Sequence, residues 1–313
     1  MELTRDQLDA IAAHAGERLR EARAHGGGRY TLALAGGERL TLLAFESPAA
    51  AETALAALEM LRAEVDLPLP QVRAGDAAGV AAGVPWALVS ELAGEPLSAA
   101  LPRIPDEQLY KLGRRLGETA YRVHRLACAR YGPLVGSAHA VPPADDERSY
   151  GLARMEAALG AAEARGLLQA AEGAAVRAWF DEHYQPVGAQ AALVCGGLEP
   201  EALLVRQSGG AWSLSGLARW DRALGWSPAW EHALLFDAAG ANGYFSLRVG
   251  YGNAYDQATR RAYEQVREHA LRPYRALLSL ERLAALDPAA PEAARRRAAL
   301  MAIVGFDGGA LSA

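Results

Sequence analysis

The sequence predicts an α+β protein of two lobes, a small mixed α/β lobe over residues 1–92 and a mainly helical lobe over residues 93–313. Three observations predict it. The chain has 313 residues, 51% hydrophobic and 22% charged, enough to bury one large core or two modest ones. Up to about Pro96 the apolar period switches in the order helix, strand, strand, helix, strand. From Pro105 onward the helical period dominates, interrupted only by short β-like runs between Ala191 and Leu217.

Each element has its own signal. Leu8, Ile11, Ala12, Ala15 and Leu19 repeat at helical spacing, so Leu3 to His25 is expected to be one helix that stops at Gly26-Gly27-Gly28. Tyr30–Leu34 and Arg39–Phe45 flank Ala35-Gly36-Gly37-Glu38 and read as a hairpin. Pro48 to Ala63 repeats Leu55, Leu58 and Leu61 as a helix, broken by Leu67-Pro68-Leu69-Pro70, and Val84 to Ser90 reads as a strand. In the second lobe, Leu109–Leu126 and Tyr150–Tyr184 are expected as long helices. Ala191–Val194, Ala202–Val205 and Ala211–Leu217 are expected as short strands joined by tight turns. Helices resume from Trp230, with two long ones at about Tyr255–Ala285 and Pro291–Val304.

Composition excludes several classes of function. A net charge of -5 gives no basic footprint for nucleic acid. The two cysteines, Cys128 and Cys195, lie far apart with no metal-ligand spacing, which argues against a disulfide scaffold or a structural zinc site. Charged residues punctuate Met1 to Arg23, and no later stretch is long and apolar enough to span a bilayer, so a cytoplasmic protein without membrane partners is expected. Lys111 is the single lysine; every other basic residue is Arg or His, a usage that fits a GC-rich genome.

Four segments carry a family resemblance. Leu88-Val89-Ser90-Glu91-Leu92-Ala93-Gly94-Glu95-Pro96-Leu97 resembles the strand, linker and G-x-P-L turn between the lobes of aminoglycoside phosphotransferase-like kinases, the group that includes choline and fructosamine kinases. Leu112 to Leu126, with His124 near its end, is similar to the family helix ending in L-H-x-h. Leu193-Val194-Cys195-Gly196-Gly197-Leu198-Glu199-Pro200-Glu201-Ala202-Leu203-Leu204-Val205 resembles, without a gap, the catalytic loop L-V-H-G-D-L-H-P-G-N-L-L-V. Gly216 to Asp221 and Pro228-Ala229-Trp230-Glu231 are similar to G-V-I-D-W-E and D-P-A-W-D. The resemblance spans about residues 26–240 and implies the bilobal protein-kinase-like fold.

The same resemblance implies lost chemistry. The place of the loop Asp, which positions the attacking hydroxyl, holds Gly197; the places of the two magnesium ligands hold Ala202 and Arg219; the loop His is Cys195. On the strand that should carry the phosphate-binding Lys or Arg, the register points to Leu43. Phosphoryl transfer depends on positioning and electrostatic stabilisation, and the groups that supply both are the ones replaced. The expectation is a catalytically inactive pseudokinase with no cofactor and no binding of Mg-ATP, serving as a scaffold for an unknown protein partner or small-molecule ligand.

The alternative is a divergent phosphotransferase, or an enzyme of another kind, working through Glu199, Glu201, Asp221 or Cys195 in a rearranged cleft. For these the plainer expectation is solvated or locally paired carboxylates and a small buried thiol. Gly27 and Gly28 stand where a nucleotide loop would be, and Glu91 and Leu92 where a linker would meet adenine. Glu199, Asp221 and Trp226 are candidates for lining a ligand cleft, Trp226 because a large residue at a turn needs space. Glu231 matches the residue that braces the loop, and Arg295-Arg296-Arg297 reads as a solvated face.

Overall fold

A computed structural model describes residues 2–62, 69–135, 141–186, 190–241, 244–259 and 263–306. Ala63, Leu67, Pro68 and residues 260–262, on which expected helix ends or breaks fall, lie outside the described residues.

The first lobe contains α1 (Arg5–His14), β1 (Leu19–Ala24), β2 (Arg29–Leu34), β3 (Arg39–Ala44), α2 (Pro48–Arg62), β4 (Val72–Asp76) and β5 (Trp86–Ser90). The strands form a five-stranded antiparallel sheet in the order β1-β2-β3-β5-β4. Alternation decides its faces. Tyr30, Leu32, Leu34, Leu40, Leu42 and Leu88 pack under Leu8, Ile11 and Ala12 of α1. Ala87 and Val89 face the other way and join α2 in a core that continues into the helical lobe.

The expected helix from Leu3 to His25 is corrected to a shorter helix and a strand. Thr4 and Gln7 form a capping box at the start of α1, which ends after His14; Gly16 then takes φ +78, which breaks the helical path. The residues that follow gain more by pairing with β2 along the sheet edge, where their exposed charges Arg20, Glu21 and Arg23 guard the open side.

The second lobe begins with β6 (Glu95–Pro96) and α3 (Leu97–Ala100), followed by α4 (Asp106–Val123) and β7 (Gly132–Pro133). The helix expected from Tyr150 to Tyr184 is two, α5 (Glu147–Ala164) and α6 (Ala170–His183), separated at Gly166 with φ +71. Then come β8 (Ala192–Val194), β9 (Leu203–Ser208), β10 (Ala211–Leu217), β11 (Leu224–Trp226) and α7 (Ala229–Ala241). The chain continues through α8 (Phe245–Thr259), α9 (Tyr263–Ala284) and α10 (Pro291–Val304). The helix expected from about Tyr255 is therefore divided between α8, which begins at Phe245, and α9.

Gly113 and Gly117, which weaken α4 by propensity, are the points where it crosses α8: a Cβ at either would overlap the backbone of Leu247 or Tyr251. Two small sheets, β10-β9-β6 and β7-β11-β8, flank the loop between β8 and β9. This is an antiparallel-sheet lobe over a helical lobe, the protein-kinase-like arrangement.

Candidate functional site

Two loops meet beneath the interlobe site, residues 195–202 between β8 and β9 and residues 218–223 between β10 and β11, and the second of them lines the cavity through Ala218, Arg219, Asp221 and Arg222. They touch where side chains are missing. Gly196 holds φ +66 with its α-carbon against the Arg222 carbonyl, and the Ala218 amide donates to the Ala202 carbonyl at 2.9 Å.

Beneath the loops lies a buried polar brace. One Glu231 carboxylate oxygen accepts from the Cys195 amide and, at 3.2 Å, from the Gly196 amide; the other meets His124 Nε2 at 2.7 Å. His124 Nδ1 in turn lies 3.0 Å from the Tyr255 hydroxyl. Burial alone would raise the Glu231 pKa, but His124 and the amide of Cys195 outweigh it and hold the carboxyl below its ordinary value. Cys195 is 3% exposed, and burial, reinforced by Glu231, pushes its thiol well above the usual range. Such a thiol is held in its unreactive protonated form.

Above the loops is a cavity of about 310 Å³ lined from both lobes. The small lobe gives Gly27, Gly28, Leu43 and Glu46; the large lobe gives Arg219, Asp221 and Arg222. Leu43 thus stands at the cavity wall where the sequence register placed a missing cation. Arg219 forks onto Asp221 through Nε at 2.9 Å and Nη2 at 3.0 Å. That hydrogen-bonded carboxylate raises the Arg219 pKa further, so the guanidinium is a fixed positive charge.

Gly197 packs beside this ion pair: a Cβ there would lie 3.1 Å from the Arg219 Cβ. Ala202 is 2% exposed. The residues present at the places of the two metal ligands do not fit magnesium, because a methyl group has no lone pair and a guanidinium repels a dication. Among the described residues, no group of three or more His, Cys, Asp or Glu could hold a metal ion.

The remaining candidates separate in space. Glu199 is drawn away from the cavity wall into ion pairs with Arg282 of α9 at 3.2 Å and Arg222 at 3.6 Å. Glu201 is exposed. Glu91 pairs with Arg39 at 3.0 Å, and the Leu92 amide donates to the buried Thr41 hydroxyl at 3.0 Å.

Trp226, expected in a ligand cleft, is instead fully buried within the helical lobe. It stacks on Trp230 at 4.8 Å, donates to the Tyr184 hydroxyl at 3.3 Å, and lies under the Arg154 guanidinium at 4.7 Å. The reason is its register on β11, which pairs with β8 and turns the ring into the core. Arg295 and Arg296 pair with Glu292, and Arg297 pairs with Glu172.

One residue beside the site, not among those that line the cavity, was missed by sequence reasoning. Arg29 is the direct cross-strand partner of Leu43, and such partners project from the same face of a sheet. The hairpin alternation carried this signal, since Arg29 and Leu43 flank the turn symmetrically, but only the pairing register fixes it.

Comparison with known proteins agrees with the architecture. A candidate fructosamine-3-kinase from Thermobifida fusca YX-ER1 is 19% identical, with 95% of this chain and 98% of that one covered and a TM-score of 0.67. A macrolide 2'-phosphotransferase type I is 15% identical, covering 96% and 99% of the two chains at a TM-score of 0.63. A thermostable mutant of the aminoglycoside phosphotransferase APH(4)-Ia is also 15% identical, covering 97% and 99% at a TM-score of 0.65. No curated protein matches the chain at the sequence level. These likenesses give the fold; membership rests on the sequence model of one family, which matches residues 22–295 and so takes in both lobes, the cavity and the two loops. This chain belongs to the phosphotransferase enzyme family.

Proposed function

We propose that this chain is a non-catalytic member of its family, a pseudokinase that acts as a ligand-binding or protein-interaction module. The observation that carries the reading is the closed Arg219–Asp221 pair, which sets a cation where the family places a metal ligand. Gly197 and Ala202 support it, because neither has a side chain that could orient a hydroxyl or bind magnesium. The rival reading, a rearranged enzyme, would need a free carboxylate or thiol. Glu199 and Asp221 are spent in ion pairs, Glu201 is exposed and is not among the residues that line the cavity, and Cys195 is buried and protonated. The small net negative charge supports a partner other than nucleic acid, and no helix among the described residues is long and apolar enough to cross a membrane. The proposed setting is the cytoplasm.

The test is thermal denaturation with ATP, ADP and GTP, each with and without magnesium, confirmed by calorimetry and paired with an assay for phosphate release. The expected result is no magnesium-dependent stabilisation and no turnover. Stabilisation that requires magnesium, or measurable turnover, overturns the reading.

A further inference from the structure

We propose that Arg29, Arg219 and Arg222, together with the Gly26–Gly28 turn, form a metal-independent site for a phosphate-bearing ligand, Arg29 supplying from β2 the cation that Leu43 cannot supply from β3. The proposal rests on the non-catalytic reading above and names the ligand class of the same cavity.

The register gives the geometry. Arg29 and Leu43 are direct antiparallel partners, so their Cβ atoms stand about 4.5–5.5 Å apart on one face of the sheet. Leu43 lines the cavity; Arg29 is not itself among the lining residues, and its guanidinium would enter by turning across Leu43 from the adjacent strand. The glycine turn immediately before Arg29 brings backbone to the same wall: Gly26, Gly27 and Gly28 all hold positive φ, and Gly27 and Gly28 line the cavity.

Charge gives the ligand. Arg39, Arg73, Arg130 and Arg177 each meet a carboxylate at hydrogen-bonding distance. Arg29, half-buried, has no carboxylate within ion-pair distance among the described residues. Burial lowers its pKa with no anion to offset the cost, and burial, followed by Arg29 and Arg23, also depresses that of His25. Of the charged residues that line the cavity, Arg219 and Arg222 are matched by Glu46 and Asp221, so those charges balance and Arg29, beside the wall, is the excess cation. A phosphate oxygen supplies what the wall lacks, and guanidinium forks match its geometry. Magnesium would weaken the contact by competing for those oxygens and by meeting Arg219 and Arg222.

Calorimetry in EDTA with pyrophosphate, ADP and inorganic phosphate tests the site. Pyrophosphate and ADP should bind without metal, and more weakly when magnesium is added. ADP binding tighter than pyrophosphate assigns a nucleotide, and equal affinities assign the phosphates alone; either supports the site. Arg29→Met should weaken binding about tenfold or more. Arg29→Lys should retain most of it, and adding Leu43→Lys to Arg29→Met should restore it across the strand pair. Arg73→Met, on the far edge strand, should bind like the parent. Parent-like affinity in a folded Arg29→Met variant, or no binding by pyrophosphate and ADP in EDTA, overturns the proposal. Silence with and without magnesium would overturn this site alone and leave the non-catalytic reading standing. Turnover would overturn that reading and leave the phosphate site to be judged by the Arg29 variants.

Discussion

The two sides of the loop at residues 195–202 are built differently. On its buried side, Glu231 ties the amides of Cys195 and Gly196 to His124 in a network closed at every member. On the side that meets the second loop, Gly197 and Ala202 offer no polar side chain, and Arg219 is tied to Asp221. The difference teaches that holding such a loop and performing chemistry from it are separate tasks, met by different residues. Bracing requires satisfied buried donors, because each unpaired one costs about 1–3 kcal/mol. Nothing in folding requires carboxylates on the side that meets the second loop.

The sharpest way to break this contrast is Glu231→Ala, which leaves two amides and His124 without their buried acceptor. It should cost about 3–5 kcal/mol in guanidinium denaturation. A loss below about 1 kcal/mol would mean that the brace does not hold the loop. Next comes Trp226→Ala, which empties a stacked site between Trp230 and Arg154. We expect a loss of about 3 kcal/mol or more, with the affinity for pyrophosphate unchanged. Altered affinity would put Trp226 in touch with the cavity after all.

Adjacent glycines sharpen the comparison on a smaller scale. Gly196→Ala introduces a Cβ at φ +66 against the Arg222 carbonyl and should cost about 1–3 kcal/mol by thermal denaturation. Gly197→Asp meets the Arg219 Cβ and carbonyl at 3.1 and 3.3 Å, should cost about 1 kcal/mol, and should yield no phosphoryl transfer in a coupled assay. Turnover from that single change would contradict the non-catalytic reading.

The pH dependence is the gentlest probe. Glu231 has a folded pKa below its ordinary 4.5, so its contribution is fully present above that value and fades as pH falls through the folded pKa. The acid limb of a stability profile should therefore be shallower in Glu231→Gln than in the parent. Identical limbs would remove Glu231 from the acid response.

Legibility in the sequence followed the range of the interactions. The β2–β3 hairpin and the β9–β10 pair lie within short turns, and local alternation located them. β1 read as helix because its apolar spacing continued that of α1, and only pairing with β2 identifies it as a strand. β11 is three residues long and exists because β8 and β7 flank it. At the site, the matching of Gly197, Ala202 and Arg219 to a motif was readable, since contiguous sequence carries it. The partner of Arg219 was two residues away and equally local. Arg282, a partner of Glu199, lies on α9, and His124, the partner of Glu231, caps the end of α4; no local pattern joins them.

The sequence by itself determined the residue types at the loop and the absence of a lysine from the small lobe, because chemistry belongs to side chains. Tertiary structure decided which groups meet. It sent Trp226 into the core, closed the brace around Glu231, and set Arg29 opposite Leu43, which lines the cavity. A sheet register moves every side chain to the other face when it slips by one residue, and only the pairing of whole strands fixes it.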